Sequence, residues 1–150
     1  MRLTLCKMCQ FADRLASGNP CLIGLFSRMG VRQFPTQLDP AHLVVEIECE
    51  PGETGIEYPM EARFIDEDGH VLTSWGGRME VPPMYDYMPA RTCFMLPIPW
   101  DEHFVFTGPG VYRFDVVVHP GTPEEIVLGG ETLVVIQGDP QIPYMGDGKG

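Results

Sequence analysis

Apolar and polar residues alternate with a period of two in at least four separate runs of the chain. In residues 43–50 one face of the run is apolar and the other is acidic: Val45, Ile47 and Cys49 alternate with Glu46, Glu48 and Glu50. Side chains of a β-strand point alternately to its two faces, so this pattern predicts a strand with one buried face. The runs 60–64, 92–98 and 112–118 alternate in the same way and predict three more strands.

Turn-forming residues separate these runs. The chain contains 17 glycines and 15 prolines, and glycine and proline between short apolar runs are typical of all-β proteins. We predict an all-β fold, a two-sheet Greek-key sandwich of the immunoglobulin-like kind with about seven to nine strands. Its core is predicted to contain the large inward-facing residues of the runs: Val45, Ile47, Phe64, Trp75, Phe94, Leu96, Tyr112, Phe114 and Val116.

The length of 150 residues fits a single domain. Residues 1–137 are predicted to form the β-sandwich domain. Residues 138–150 contain Gly, Pro and Asp with little apolar content. We therefore expect them to form a flexible C-terminal tail.

One hairpin is predicted from its turn. The sequence Asp66-Glu67-Asp68-Gly69 separates the run 60–64 from a second apolar run that begins at Val71. Gly69 suits the positive φ that such a turn requires. Later in the second strand, the pair Gly76-Gly77 predicts a β-bulge or a sharp coil.

The first forty residues allow two interpretations. Five apolar positions have helical spacing, with Gly18 as a C-cap: Leu5, Met8, Cys9, Ala12 and Leu15. Residues 3–11 can equally form a buried strand that turns through residues 17–20 into a second run at 21–31. We favour the strand pair because the second run is compact and is bounded by turn residues.

Several of these pieces together resemble a family of small bacterial β-sandwich proteins of unknown function. The resemblance covers roughly residues 3–136. It rests on the run 22–26, the pair Phe34-Pro35, the turn 66–69 and the segment Phe106-x-x-Pro109-Gly110-x-Tyr112-x-Phe114-x-Val116. In immunoglobulin-like sandwiches a tyrosine placed in this way packs at the corner between the sheets and bonds the upstream backbone. The resemblance implies the sandwich fold and the strand interpretation of the N-terminal residues, and it implies no catalytic residue.

The charge balance argues against two classes of partner. The chain has 10 basic and 21 acidic residues, a formal net charge of -11, and no basic cluster. Nucleic acids and anionic membranes are bound through Lys and Arg, so we expect neither as a partner. No apolar stretch reaches the roughly 18 residues of a membrane span, and the first residues lack the apolar region of a signal peptide. The default expectation is a cytoplasmic protein that its negative charge keeps soluble.

The cysteines offer one candidate motif. Cys6 and Cys9 form a CxxC, a spacing that occurs in zinc and redox sites. The other three cysteines are isolated, and residues three apart in a strand point to opposite faces. We therefore predict buried structural thiols, with no metal and no disulfide between Cys6 and Cys9.

The remaining polar motifs predict no active site. Asp66-x-Asp68-Gly69 resembles the start of a calcium loop, but the twelfth position is Gly77 rather than Glu, so we predict a turn. The acidic row at 46, 48 and 50 is predicted to be a solvated sheet face, because general acid catalysis needs a desolvated carboxyl group. No nucleophile elbow, P-loop or dinucleotide motif is present. We expect a protein that is not an enzyme and that has no cofactor.

One predicted loop carries more large side chains than a connection needs. Residues 82–89 read Pro-Pro-Met-Tyr-Asp-Tyr-Met-Pro, and Tyr and Met are enriched at protein interfaces. Four of these residues are the candidates: Met84, Tyr85, Tyr87 and Met88. One hypothesis is that their side chains bind a partner, and the other is that they cover one end of the sandwich.

The leading functional interpretation is a non-catalytic module for protein–protein interaction or structure. Its partner would be another protein or a second copy of the chain. The alternative is a binder of small molecules or carbohydrates that uses the loop 82–90 together with Trp75 or Trp100.

Overall fold

The computed structural model describes residues 1–83, 90–99 and 102–138. Within these residues the chain forms eleven strands and one 3-10 helix (Pro51–Glu53). The strands, in chain order, are β1 (Arg2–Arg14), β2 (Pro20–Phe26), β3 (Arg28–Val31), β4 (Thr36–Gln37), β5 (His42–Cys49), β6 (Glu57–Ile65), β7 (Val71–Glu80), β8 (Ala90–Pro97), β9 (Val105–Phe106), β10 (Gly110–Val118) and β11 (Ile126–Gln137).

Most of these strands belong to two main sheets. One sheet has the order β2-β1-β5-β8, and all its neighbours are antiparallel. The other has the order β3-β11-β10-β6-β7 and is antiparallel except for the parallel pair β3–β11. The strands β4 and β9 pair with each other as a small third sheet. The prediction of an all-β fold is confirmed. The strand number exceeds the predicted seven to nine because β4 and β9, with two residues each, are too short to show an alternating pattern.

The core lies between the two main sheets and is rich in aromatic rings. The ring of Phe64 stacks on Phe104 with the centroids 4.5 Å apart, on Phe114 at 5.2 Å and on Tyr112 at 5.3 Å. Phe106 meets the same ring edge to face. Each large side chain removed from water in this way contributes about 1.5–3 kcal/mol to folding. The aromatic cluster around Phe64 is therefore a main source of the protein's stability.

The predicted core residues all pack in this interior, although not equally deeply. Six of them are buried: Val45, Ile47, Phe64, Tyr112, Phe114 and Val116. Trp75, Phe94 and Leu96 are only partly buried and pack against the core. They lie on β7 and β8, which are edge strands of the two sheets. An edge strand has a neighbour on one side only, so its inward side chains are covered less completely.

The N-terminal residues form strands rather than a helix. β1 and β2 pair antiparallel, with Phe11 opposite Ile23. Two backbone hydrogen bonds close the turn between them, one from the Leu15 amide to the Asn19 carbonyl and one from the Gly18 amide to the Leu15 carbonyl. The strand interpretation favoured from the sequence is confirmed.

The hairpin predicted around residues 66–69 is present as β6 and β7, and Gly69 has a φ of +88°. The bulge predicted at Gly76-Gly77 is wrong, because both residues pair in regular register and the irregularity lies near the turn, at Phe64 and Ile65. The need for glycine has another cause at position 76. A Cβ there would overlap the backbone of Met60 on the neighbouring strand. Close approach of two backbones explains Gly76.

The hydrogen bond predicted for the tyrosine at the corner before β10 is present. The Tyr112 hydroxyl donates a hydrogen bond to the Gly108 carbonyl, 2.8 Å away and four residues upstream. This bond fixes the direction in which the chain enters β10 while the ring remains in the core. The predicted C-terminal tail, residues 138–150, lies outside the described residues except for Gly138. The Gly138 amide donates a hydrogen bond to the Val31 carbonyl.

Candidate functional site

The partner hypothesis based on the sequence falls on residues that lie outside the described part of the chain. Met84, Tyr85, Tyr87 and Met88 all lie in residues 84–89, and Trp100 is outside it as well. Their proposed role stays a prediction. Trp75 is described, and its ring meets Phe104 and Phe114 edge to face in the core. Trp75 is partly buried and contributes to the packing of the core.

A second apolar cluster lies on the outer face of the four-stranded sheet. Val44 alternates with Leu43 and Val45, which face the core, so its side chain points away from the core, and yet it is fully buried. It packs in this cluster with Cys9, Ala12 and Cys93, and with the partly buried Leu5, Leu22 and Met95. Ala12 and Leu22 belong to the half of the β1–β2 hairpin that is nearer its turn, which we call the distal half. The hairpin therefore packs against the outer face of its own sheet.

Polar contacts hold the hairpin in this position. The Arg14 guanidinium donates hydrogen bonds to the carbonyl of Cys93 on β8 and to that of Gly18 in the hairpin turn. On β2, Gly24 has a φ of +68°, and a Cβ there would overlap the Gln10 side chain. Gln10 and Gly24 are absent from the regular register of β1 and β2. This local irregularity lets the distal half of the hairpin change direction relative to the first half of β1.

The other side of the hairpin presents apolar side chains to solvent. Phe11 and Ile23 are directly opposite each other in the register, and 48% and 56% of their surfaces are exposed. They point away from the pair of Ala12 and Leu22, because neighbouring residues of a strand face opposite sides. Leu15 is exposed at the turn of the same hairpin. Leu25 is also exposed, but it pairs with Cys9 and therefore lies on the other side of the hairpin. We call the three exposed residues Phe11, Leu15 and Ile23 the hairpin patch.

The other half of the same outer sheet face is charged. Arg2, Glu48 and Arg91 are opposite one another on β1, β5 and β8. The Glu48 carboxylate accepts hydrogen bonds from both arginines, and these bonds lower its pKa. Only 14% of its side chain is exposed. The prediction of a simply solvated acidic row is therefore wrong at Glu48, because cationic side chains from both neighbouring strands cover it.

The two cysteines of the CxxC motif lie in different clusters. Cys6 belongs to the core between the sheets, and Cys9 belongs to the outer cluster under the hairpin. Burial raises the pKa of the Cys6 thiol to about 12, and the nearby Glu131 carboxylate adds to the effect. Burial likewise raises the pKa values of Cys9, Cys49 and Cys93. These four thiols stay protonated at neutral pH, which makes them poor nucleophiles.

The β6–β7 turn gathers three groups that can bind metals. One ligand atom from each of Asp66, Asp68 and His70 lies within 4.8 Å of the others. Among the described residues, no other group of three side chains that can bind a metal lies this close together. The Asp66 carboxylate accepts bonds from the amides of His70 at 2.8 Å and Asp68 at 3.0 Å. The bond from the His70 amide is the main cause of its lowered pKa. The Asp66 carboxylate therefore has a structural role, because its hydrogen bonds close the turn that the sequence predicts.

Two shallow grooves accompany these features. One of about 220 Å³ lies between the β6–β7 turn and residues 107–112. The other, of about 270 Å³, is lined by Gln10, Phe26, Met29 and residues 38–41, among others. Neither groove could be predicted from the sequence, because each is formed by segments that are far apart in the chain. Within the described residues, no helix is long and apolar enough to cross a membrane.

The strands and clusters define an all-β protein with two main sheets and an apolar hairpin folded onto one of them. Residues 5–127 match the model of a family of unknown function, DUF6941, and the chain belongs to this family. The resemblance to a β-rich family of unknown function is thereby confirmed. No curated protein and no solved structure shows significant similarity to the chain.

Proposed function

We propose that this protein is a non-catalytic protein–protein interaction module, built on an immunoglobulin-like sandwich, and that the hairpin patch is its docking surface. The observation that carries the proposal is the exposed pair of Phe11 and Ile23 on a hairpin whose opposite side is already buried. Exposed apolar patches on soluble proteins commonly mark interaction sites. The loop 82–90 remains a second candidate surface.

The immunoglobulin-like arrangement is supported by two features of the sheets. Strands distant in sequence are neighbours, as in the pairs β1–β5, β5–β8 and β6–β10, and such crossovers are typical of Greek-key sandwiches. The bond from the Tyr112 hydroxyl to the Gly108 carbonyl has the form of the tyrosine corner of these folds. Folds of this kind serve many functions, so the function is argued from the surface alone.

Folding alone does not require the exposed side of the hairpin to be apolar. Ala12 and Leu22 already bury the inner side against Val44, and Arg14 anchors the hairpin to β8. Polar residues at positions 11 and 23 would keep these contacts. The exposed parts of large apolar side chains there gain free energy only when a partner removes them from water, at about 25 cal/mol per Å².

A crosslinking experiment in cells tests the proposed function. A photoreactive phenylalanine analogue is placed at position 23 of the full chain. A second protein carries it at position 126 as a matched control, since Ile126 is 54% exposed but lies at the start of β11, on the other sheet. We expect discrete polypeptide adducts from position 23 and none of comparable yield from position 126. Equal yields at the two positions, or no adduct from position 23, would overturn the proposal.

A further inference from the structure

We infer that the distal half of the β1–β2 hairpin, residues 11–23, is a strap that detaches from its sheet as a unit while both main sheets stay folded. Detachment uncovers Val44 and the thiol of Cys93. The inference concerns the inner side of the hairpin, so it does not depend on the docking role proposed for the outer side. Three observations carry it: the end of the backbone pairing with β5, the small number of buried side chains and a hinge at the base of the distal half.

The backbone pairing between the hairpin and β5 ends before the distal half begins. The register of β1 with β5 runs from Arg2 to Cys9. Among the described residues, β1 pairs from Phe11 to Arg14 with β2 only, and one hydrogen bond joins residues 11–23 to another part of the chain, from the Arg14 guanidinium to the Cys93 carbonyl. Detachment therefore leaves the pairing of β1 with β5 and of β5 with β8 intact.

The distal half also buries little of its surface. Ten of its residues are exposed, Cys21 and Leu22 are half-buried, and Ala12 alone is buried. In β10, by comparison, six of nine residues are buried. Segments with few buried apolar contacts open at a lower free energy than the whole protein unfolds. Side-chain packing therefore holds the distal half more weakly than it holds the core strands.

Gln10 and Gly24 form a hinge at the base of the distal half. Both are absent from the register, whereas the pairs on either side of them are regular, Cys9 with Leu25 and Phe11 with Ile23. Gly24 has a φ of +68°, and glycine can change its backbone angles at little steric cost. A few residues of this kind take up the change in φ and ψ when an element moves as a unit.

Detachment uncovers a strip of the four-stranded sheet. In the outer cluster, Ala12 and Leu22 come from the distal half, and the other members belong to β1 before the hinge, to β5 and to β8: Leu5, Cys9, Val44, Cys93 and Met95. Val44 is fully buried although it points away from the core, and Cys93 is buried as well. The closed state hides an apolar side chain and a thiol that the detached state exposes, so the strap switches the chemistry of this face.

Alkylation of the full chain by N-ethylmaleimide, in urea below the unfolding transition, tests the inference, and mass spectrometry of the peptides gives the rate at each cysteine. Cys21 is replaced by Ser throughout, because it is partly exposed and would react directly. We expect Cys93 to react at least about tenfold faster than Cys49, which is buried in the core. Its rate should also depend less on urea, because detachment exposes less surface than global unfolding does.

Two variants separate detachment from global unfolding. Val135→Ala weakens the core at β11 in the other sheet, so it should speed the alkylation of Cys49 and leave that of Cys93 unchanged. Leu22→Ala removes a contact between the distal half and the sheet, so it should speed the alkylation of Cys93 by about fivefold or more. Leu25→Ala is its matched control and should leave the rate at Cys93 unchanged, because Leu25 is exposed on the same strand and outside the outer cluster.

Amide hydrogen exchange of the wild-type protein, read by NMR, identifies the segment that moves. A two-stranded hairpin on its own is unstable in water, so the amides of residues 11–14 and 21–23 should exchange at the same free energy that Cys93 alkylation gives. Equal rates and equal urea dependence for Cys93 and Cys49 would overturn the inference, as would an equal acceleration of both by Val135→Ala. Fast alkylation of Cys93 while the amides of residues 11–14 stay as protected as those of β10 would also overturn it, because β8 would then be the part that opens.

Discussion

The aromatic cluster around Phe64 and the hairpin patch contain similar side chains in opposite surroundings. Phe114 is fully buried and its ring contacts those of Phe64, Trp75 and Phe104. Phe11, by contrast, is about half exposed and faces away from the apolar cluster beneath its hairpin. The first ring gains its free energy when the chain folds. About half of the second ring stays in contact with water in the folded chain. Residue type alone thus does not separate a side chain that belongs to the core from one that we propose to contact a partner, and the position of the face does.

The largest expected difference between the two regions is in stability. Phe114→Ala should lower the free energy of unfolding by about 3–5 kcal/mol, because it removes a buried ring and leaves a cavity. Phe11→Ala should lower it by less than about 1 kcal/mol, since much of that ring is already in water. Urea unfolding of the two variants beside wild type measures both values. A similar loss in the two variants would contradict the comparison.

A smaller effect is expected on the buried side of the hairpin. Val44→Ala removes two methyl groups from the cluster beneath the hairpin, at about 0.8 kcal/mol for each buried carbon group, so we expect a loss of about 1.5 kcal/mol. Val71→Ala is the control, because Val71 is exposed on β7 and the same change should have little effect. If Val44→Ala is as mild as Val71→Ala in urea unfolding, the hairpin does not pack on the sheet as described.

The surface ion pairs should make the smallest contribution, and acid should reveal it. Hydrogen bonds from the Arg63 guanidinium and from the Gly121 amide lower the pKa of Glu125 from 4.5 to about 2. A carboxyl group with a lowered pKa in the folded state stabilises the protein above pH 4.5, and this contribution is lost as the pH falls towards 2. Arg63→Met should therefore flatten the dependence of stability on pH in this window.

Urea unfolding at several pH values between 2 and 5 measures this slope for Arg63→Met and wild type. Arg78→Met is a suitable control, because Arg78 pairs with Glu57, whose side chain is half exposed, and exposed pairs contribute little. An unchanged slope in Arg63→Met would mean that solvent screens the pairing with Glu125 completely.

The sequence predicts most of the two main sheets because their strands alternate in a regular way. Residues 112–118 and 43–49 each place apolar side chains on one face, and the sheets bury that face. Alternation does not reveal Phe104, which is fully buried, because this residue lies between strands and belongs to no alternating run. It does not reveal the partners of Glu48 either, since Arg2 and Arg91 are brought together only by the strand order.

The proposed docking surface is less predictable than the core. Cys9 and Ala12 are three residues apart in one strand and yet share a cluster, which a regular strand does not allow. The irregularity at Gln10 and Gly24 permits this arrangement, and the change in direction brings Ala12 over Val44. An alternating pattern records which residues share a face of a straight strand. It carries no information on how a hairpin folds onto its own sheet.

The most direct test of the central claim is the stability of Ile23→Glu as a monomer. Urea unfolding is measured at concentrations below any self-association, with Ile126→Glu as the matched exposed position. If the hairpin patch serves docking and is not needed for folding, both variants should unfold within about 0.5 kcal/mol of wild type. A loss above about 2 kcal/mol that is confined to Ile23→Glu would show that the patch belongs to the fold, and it would contradict the account.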